Sequence, residues 1–96
     1  MIIAQISVSP VGVGTDLHEY VKAAVEDIKK SGVKFEVNAM ATVVEVPDLS
    51  TLFEVVGRAH NAVLRLGAKR VITELKIDDR RDKEASVESK VAAVKV

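Results

Sequence analysis

The sequence has no cysteine and no tryptophan, and its only aromatic residues are one tyrosine and two phenylalanines. Without cysteine, the chain can form no disulfide and no thiolate metal site, and it has no thiol nucleophile. Because no aromatic residue is expected on an exposed sheet face, a sheet that stacks RNA bases is disfavoured. Basic and acidic residues number 14 each, so no basic surplus indicates a nucleic-acid partner.

Long apolar runs are absent as well. The apolar start of the chain is interrupted by Gln5 and Ser7 and ends at Pro10, which makes it too short for a signal-peptide core or a transmembrane helix. We therefore expect no membrane partner and a cytoplasmic location. Hydrophobic residues make up 48% of a 96-residue chain, and we expect residues 1–96 to form a single domain around one core.

Four segments alternate apolar and polar residues with a period of two, which is typical of half-buried strands. These segments are Ile2–Val8, Val33–Val37, Thr42–Val46 and Arg70–Ile77. Proline and glycines at positions 10, 12 and 14 predict a loop after the first strand. Residues 38–41 predict a hairpin connection between the second and third strands.

Two longer segments place apolar residues every three or four positions, as amphipathic helices do. The first runs from a cap at Thr15 or Asp16 to about Ser31, and the second from a cap at Asp48 or Ser50 to just before Gly67. A short third helix, capped by Ser86, is predicted over Ser86–Val96. The order predicts an α+β, ferredoxin-like βαββαβ sandwich: a four-stranded antiparallel sheet with two helices on one face, plus a short C-terminal helix.

The other sheet face is expected to be mostly polar. It should carry Gln5, Ser7, Glu36, Val43, Glu45, Ile72, Glu74 and Lys76. This face is either solvated or packed on a second copy of the chain, and the small domain size and zero net charge favour the second copy. Clustered glutamates there could act as acid and base, but with Lys76 beside them an ion-pair network is favoured.

The two histidines and two of the threonines are further candidates for chemistry. His18 should be exposed on the first helix, and His60 borders the apolar stripe of the second. Since neither has partners at metal-ligand spacing, we expect no metal and no cofactor. A structural role is favoured for His60, with a ligand contact as the alternative. Thr42 and Thr73 should face the helices, either bonded to nearby backbone or lining a small polar pocket.

Four stretches together resemble the small thiamine-binding, YkoF-like family. They are MIIAQISVSP (1–10), NAMATVVE (38–45), AHNAV (59–63) and IDDRRDK (77–83). The resemblance covers essentially the whole chain, although Ala41 stands where the family's pattern has glycine. It implies a ferredoxin-like fold, assembly into a homo-oligomer (dimer or tetramer), and a pocket for thiamine or its hydroxymethylpyrimidine half. It also implies binding without turnover.

An aminopyrimidine needs a few fixed polar groups in an apolar slot. Side chains near the hairpin, with backbone near Met40, could supply them, while His60 closes the slot from the helix side. Glu45 could meet the thiazolium cation, because aromatic residues are scarce. The expected ligand-binding residues are Ser7, Asn38, Met40, Thr42, Glu45 and His60, with no catalytic residue. The alternative is a structural or regulatory self-assembly module without a small-molecule ligand.

Overall fold

A computed structural model describes residues 1–96 and contains four strands and three helices. In chain order these are β1 (Ile2–Pro10), α1 (His18–Lys30), β2 (Lys34–Val37), β3 (Thr42–Val46), α2 (Leu49–Arg65), β4 (Val71–Asp78) and α3 (Val87–Ala93). None of the helices combines the length and the apolar character needed to cross a bilayer.

The strands form one antiparallel sheet in the order β2-β3-β1-β4. Strand β1 is central and pairs with β3 on one side and β4 on the other. This arrangement confirms the predicted ferredoxin-like sandwich. Alternate residues of β1 point toward the helices and are buried, as the period-two pattern indicated.

The core lies between this sheet face and the two long helices. It contains Ile2, Ala4, Ile6 and Val8 of β1, Val44 and Val46 of β3, Ala24 and Ile28 of α1, Leu52, Val55, Ala59 and Val63 of α2, and Ala68. Because each helix contributes an apolar stripe at helical spacing, one continuous core serves both βαβ halves.

Strand β1 runs two residues beyond its predicted end. Pro10 lies opposite Val71, and the next residue, Val11, donates its N–H to the Arg70 carbonyl at 2.8 Å. Backbone groups alternate between the two neighbours of a strand, so the Pro10 nitrogen faces the β3 side. Since β3 begins opposite Ile6, no ladder bond is required at Pro10 and the proline is tolerated.

The helix starts differ from one another. Helix α1 begins after Leu17 without a side-chain cap, so the predicted cap at Thr15 or Asp16 is wrong. The Asp16 carboxylate contacts the His18 ring at 2.5 Å and accepts the His18 backbone N–H at 3.3 Å. Helix α2 is capped as predicted, because the Asp48 carboxylate accepts the Thr51 N–H at 2.7 Å.

The C-terminal segment lies against the sheet face opposite the long helices. Glu45 of β3 is only 6% exposed there, and its carboxylate accepts the Val87 N–H at 2.5 Å. The Lys34 ammonium lies 3.4 Å from the same carboxylate, and Lys90 lies 2.7 Å from Asp78. Helix α3 is capped by Ser86 and ends three residues earlier than predicted, with no buried residue of its own. Ala85, directly before α3, is buried, but α3 itself is attached chiefly through polar contacts.

Candidate functional site

A cleft of about 320 Å³ opens between α1 and the sheet, beside the β2–β3 hairpin. Its volume falls at the lower end of the range for small-molecule sites. Most of its lining is apolar, and no lining side chain is charged. The lining residues are Ile6, Ser7, Val8 and Ser9 of β1, Val21, Ala24, Val25 and Ile28 of α1, and residues 37–42 around the hairpin.

The cleft exists because two paired strands differ in length. β3 begins at Thr42, opposite Ile6, whereas β1 continues to Pro10. Residues 38–41 turn away from β1 to reach β2, and the Asn38 N–H closes this turn on the Ala41 carbonyl at 2.8 Å. A gap in the sheet layer is left beside Ser7–Ser9, and we call this gap the notch.

Four of the six predicted ligand-binding residues line this cleft: Ser7, Asn38, Met40 and Thr42. Thr42 faces the core, is only 6% exposed and lines the cleft. Met40 is 87% exposed on the hairpin. Ser7 shares its strand parity with the far sheet face, but it reaches the cleft because the edge of β1 is uncovered at the notch.

The other two predicted residues, Glu45 and His60, lie outside the cleft. Glu45 is on the opposite sheet face, where it holds the start of α3. The His60 Nδ1 lies 2.6 Å from the Thr73 hydroxyl, between α2 and β4. The hydroxyl of Thr73 is thus paired with a side chain rather than with backbone.

Sequence reasoning missed the wall that α1 contributes. The helical spacing predicts that Val21, Ala24, Val25 and Ile28 belong to the apolar stripe of α1, and all four line the cleft. Only the strand register, which leaves the β3 side of β1 unpaired beyond Ile6, shows that this part of the stripe faces a gap. No motif in the sequence carries that information.

Charged groups cluster away from the cleft. The His18 ring lies between the carboxylates of Asp16, at 2.5 Å, and Glu19, at 3.0 Å. The hydrogen bond that the Asp16 carboxylate accepts from the His18 ring raises the pKa of His18 and lowers the pKa of Asp16. No group of three or more histidine, aspartate or glutamate residues is placed to hold a metal ion.

The three glutamates of the opposite face do not form one cluster. Glu36, Glu45 and Glu74 belong to β2, β3 and β4, and β1 separates the last from the other two. Glu45 alone is buried, and its cation is Lys34 rather than Lys76. The arrangement is that of separate polar contacts and not of an acid–base pair.

Comparison with known proteins assigns the whole domain to a family. The profile of a family described as thiamine-binding protein matches residues 4–95. A UPF0045 protein of Methanothermobacter thermautotrophicus is 49% identical over 99% of this chain and 97% of its own. A UPF0045 protein of Bacillus subtilis is 36% identical over 98% of this chain and 94% of its own.

Solved structures agree with this assignment. A hypothetical protein of Methanocaldococcus jannaschii superposes with a TM-score of 0.90 at 42% identity, covering 97% of this chain and 94% of that one. A candidate thiamine biosynthesis or salvage protein of Thermotoga maritima gives a TM-score of 0.81 at 28% identity, covering 96% of each chain. The resemblance seen in the sequence is confirmed, and the chain belongs to the thiamine-binding protein family.

Proposed function

We propose that this protein binds thiamine or its hydroxymethylpyrimidine half in the cleft at the notch, without chemical turnover. The observation that carries the proposal is the convergence of Ser7, Asn38 and Thr42 on an apolar cleft that holds no charged side chain. Such a lining suits a flat, neutral ring with polar atoms on its rim. The family profile and the Thermotoga maritima structure support the choice of ring.

The absence of charge in the lining determines which half of thiamine enters. A thiazolium cation inside the cleft would lose hydration without meeting a carboxylate or an aromatic face, at a considerable cost in free energy. Glu45 cannot compensate, because it lies on the other sheet face and is bound to Val87 and Lys34. The pyrimidine half therefore occupies the cleft, and the cationic half remains at the solvent side.

Calorimetric titration with hydroxymethylpyrimidine, thiamine and the isolated thiazole alcohol tests this proposal. We expect the first two compounds to bind and the thiazole alcohol not to bind. Mass spectrometry of the recovered ligand should show no change in mass. Absence of binding by both pyrimidine compounds would overturn the proposal, and turnover would overturn its non-catalytic part.

A pair of threonine variants locates the site. Thr42→Val removes a hydroxyl from the cleft at nearly constant volume and should weaken pyrimidine binding by about tenfold, the effect of one lost hydrogen bond. Thr73→Val is the matched control, since Thr73 also faces the helices but bonds His60 outside the cleft. Equal affinities for the two variants would place the ligand elsewhere.

The proposal includes assembly into a homo-oligomer, either a dimer or a tetramer. Ile72 on the far sheet face is 46% exposed, and on the C-terminal segment Val91 and Val94 are 57% and 75% exposed. These side chains give that face an apolar character that a second copy could cover. Analytical ultracentrifugation of the wild type and of Val91→Glu tests this part. A wild type that sediments as a monomer at all concentrations would exclude it.

A further inference from the structure

The main chain of β1 at the notch has hydrogen-bonding groups that no other strand uses. The β1–β4 register, continued beyond Pro10 and Val71, pairs Val11 with Arg70, and the Val11 N–H donates to the Arg70 carbonyl. In an antiparallel pair, backbone groups of successive residues point alternately to one side and the other. The odd-numbered residues of β1 therefore bond β4, and the even-numbered residues point toward β3.

This alternation identifies Val8 as the unpaired residue. Ile6 points toward β3 and lies opposite Thr42, the first residue of that strand. Val8 points the same way, but β3 has ended. The register would place Met40 opposite it, and no backbone hydrogen bond joins the two residues. One N–H donor and one C=O acceptor thus face the notch with no backbone partner.

The surroundings of Val8 favour a small ligand over another strand. Val8 lines the cleft, and its side chain is buried in the core, so its backbone is held firmly at the cleft wall. Pro10 follows two residues later and has no N–H, so the free edge is too short for a second chain to extend the sheet. The single N–H and C=O of Val8 can instead both be satisfied by one small ring that carries an acceptor and a donor on its rim.

We infer that the Val8 main chain is the recognition edge of the cleft, and that it selects flat, neutral ligands carrying an acceptor next to a donor, as an aminopyrimidine does. The Val8 N–H donates to the ring nitrogen adjacent to the amino-bearing carbon, and the ligand's amino group donates to the Val8 carbonyl. This inference rests on the proposed function, because it assigns the selectivity of the same cleft. It requires no particular side chain at position 8.

The sharpest test replaces the Val8 amide by an ester, using nonsense suppression with 2-hydroxy-3-methylbutanoic acid. The ester lacks the N–H and keeps the side chain. Since no ladder bond uses this N–H, the melting temperature should change little, whereas hydroxymethylpyrimidine affinity should fall about tenfold. The matched control is the lactic acid ester at Ala4, whose N–H points to β3 and lies opposite Val44. It should lower the melting temperature and leave affinity unchanged.

A ligand analogue completes the test as a double-mutant cycle. A pyridine analogue that lacks the ring nitrogen next to the amino-bearing carbon should bind the wild type and the Val8 ester equally. Equal hydroxymethylpyrimidine affinity for wild type and Val8 ester would overturn the role of Val8 and leave the proposed function standing. No binding of any pyrimidine to the wild type would overturn both. A Val8 ester that changed only the oligomeric state would assign the edge to a second copy and overturn the inference.

Discussion

The two βαβ halves of the fold follow one plan but fill the layer between helix and sheet to different extents. Helix α2 buries five residues, Leu52, Val55, Ala59, Ala62 and Val63, whereas α1 buries only Ala24 and Ile28. The link into α2 is the pair 47–48, ending in an aspartate cap, whereas residues 11–17 lead into α1 without a side-chain cap. One half is closed and buries more of its helix, and the other leaves a cleft.

The difference shows that a cleft can arise from incomplete packing rather than from a motif. Beneath α1 the sheet lacks the end of a strand, and the helix presents a small residue, Ala24, toward the gap. Beneath α2 the sheet continues and the helix fits against it. Paired substitutions, one in each half, therefore test whether the halves are specialised in this way.

The largest expected effect is on stability. Leu52→Ala removes a fully buried side chain of α2 and should lower the free energy of unfolding by about 2–5 kcal/mol. Val21→Ala, in α1, removes a side chain that is 40% exposed and should cost about 1 kcal/mol or less. Urea denaturation measures both. Equal losses would mean that the α1 half is as tightly packed as the α2 half.

A second pair of substitutions tests whether each half has room for a larger side chain. Ala59→Leu should overpack the closed half and cost about 1–3 kcal/mol, because Ala59 is fully buried and lies outside the cleft. Ala24→Leu should place its added atoms in the cleft, with little loss of stability and with loss of pyrimidine binding. Thermal unfolding and calorimetric titration measure the two effects. An Ala24→Leu variant that still binds the pyrimidine would show that the ligand does not bind in this cleft.

The third pair compares the two helix starts. Asp48→Ala removes the acceptor for the Thr51 N–H and should cost about 1 kcal/mol, the usual value for a helix N-cap. Asp16→Ala removes a carboxylate that contacts an exposed histidine, and its effect should be smaller. The comparison uses urea denaturation at neutral pH. A larger loss of stability for Asp16→Ala than for Asp48→Ala would show that the contact at the start of α1 stabilises the fold more than the cap of α2.

The sequence predicts the fold well because strands and helices differ in the spacing of their apolar residues, and because characteristic residues mark where the elements begin and end. The alternation in β1, the stripes of both long helices and the caps at Asp48 and Ser86 all agree with the structure. The expected cap at Asp16 is wrong because Leu17 occupies the N-cap position, and the Asp16 carboxylate contacts the ring and the backbone N–H of His18. Residue type alone does not decide which residue takes the N-cap position.

The sequence predicts the candidate site less completely than it predicts the fold. Asn38, Met40 and Thr42 are neighbours in sequence, so locating the hairpin brings them together. Glu45 follows Thr42 closely, yet its odd position sends its side chain to the other sheet face. The unpaired Val8 backbone depends on where β3 begins relative to β1, and this register is a tertiary property.

The smallest expected effect is opposite pH dependence at the two helix starts. The pKa of His18 is raised chiefly by its hydrogen bond with Asp16. Protonated His18 therefore stabilises the fold. This stabilisation is fully present below the pKa of histidine in the unfolded chain, about 6.5, and is lost as the pH rises through the pKa in the folded state. The pKa of Asp48 is lowered chiefly by the Thr51 N–H. Its contribution is present above the unfolded value, about 3.9, and is lost as the pH falls through the folded value.

NMR titration of the amides in the first turn of each helix measures this contrast. The first turn of α1 should lose hydrogen-exchange protection when the pH rises above the folded-state pKa of His18, and the first turn of α2 when the pH falls below that of Asp48. Asp16→Asn should return the pKa of His18 toward its ordinary value and flatten only the α1 response. Both helix starts lie at the surface, so the effects should be small and reduced by salt. Parallel responses in the two helices would show that one global transition, rather than two local contacts, sets the pH dependence.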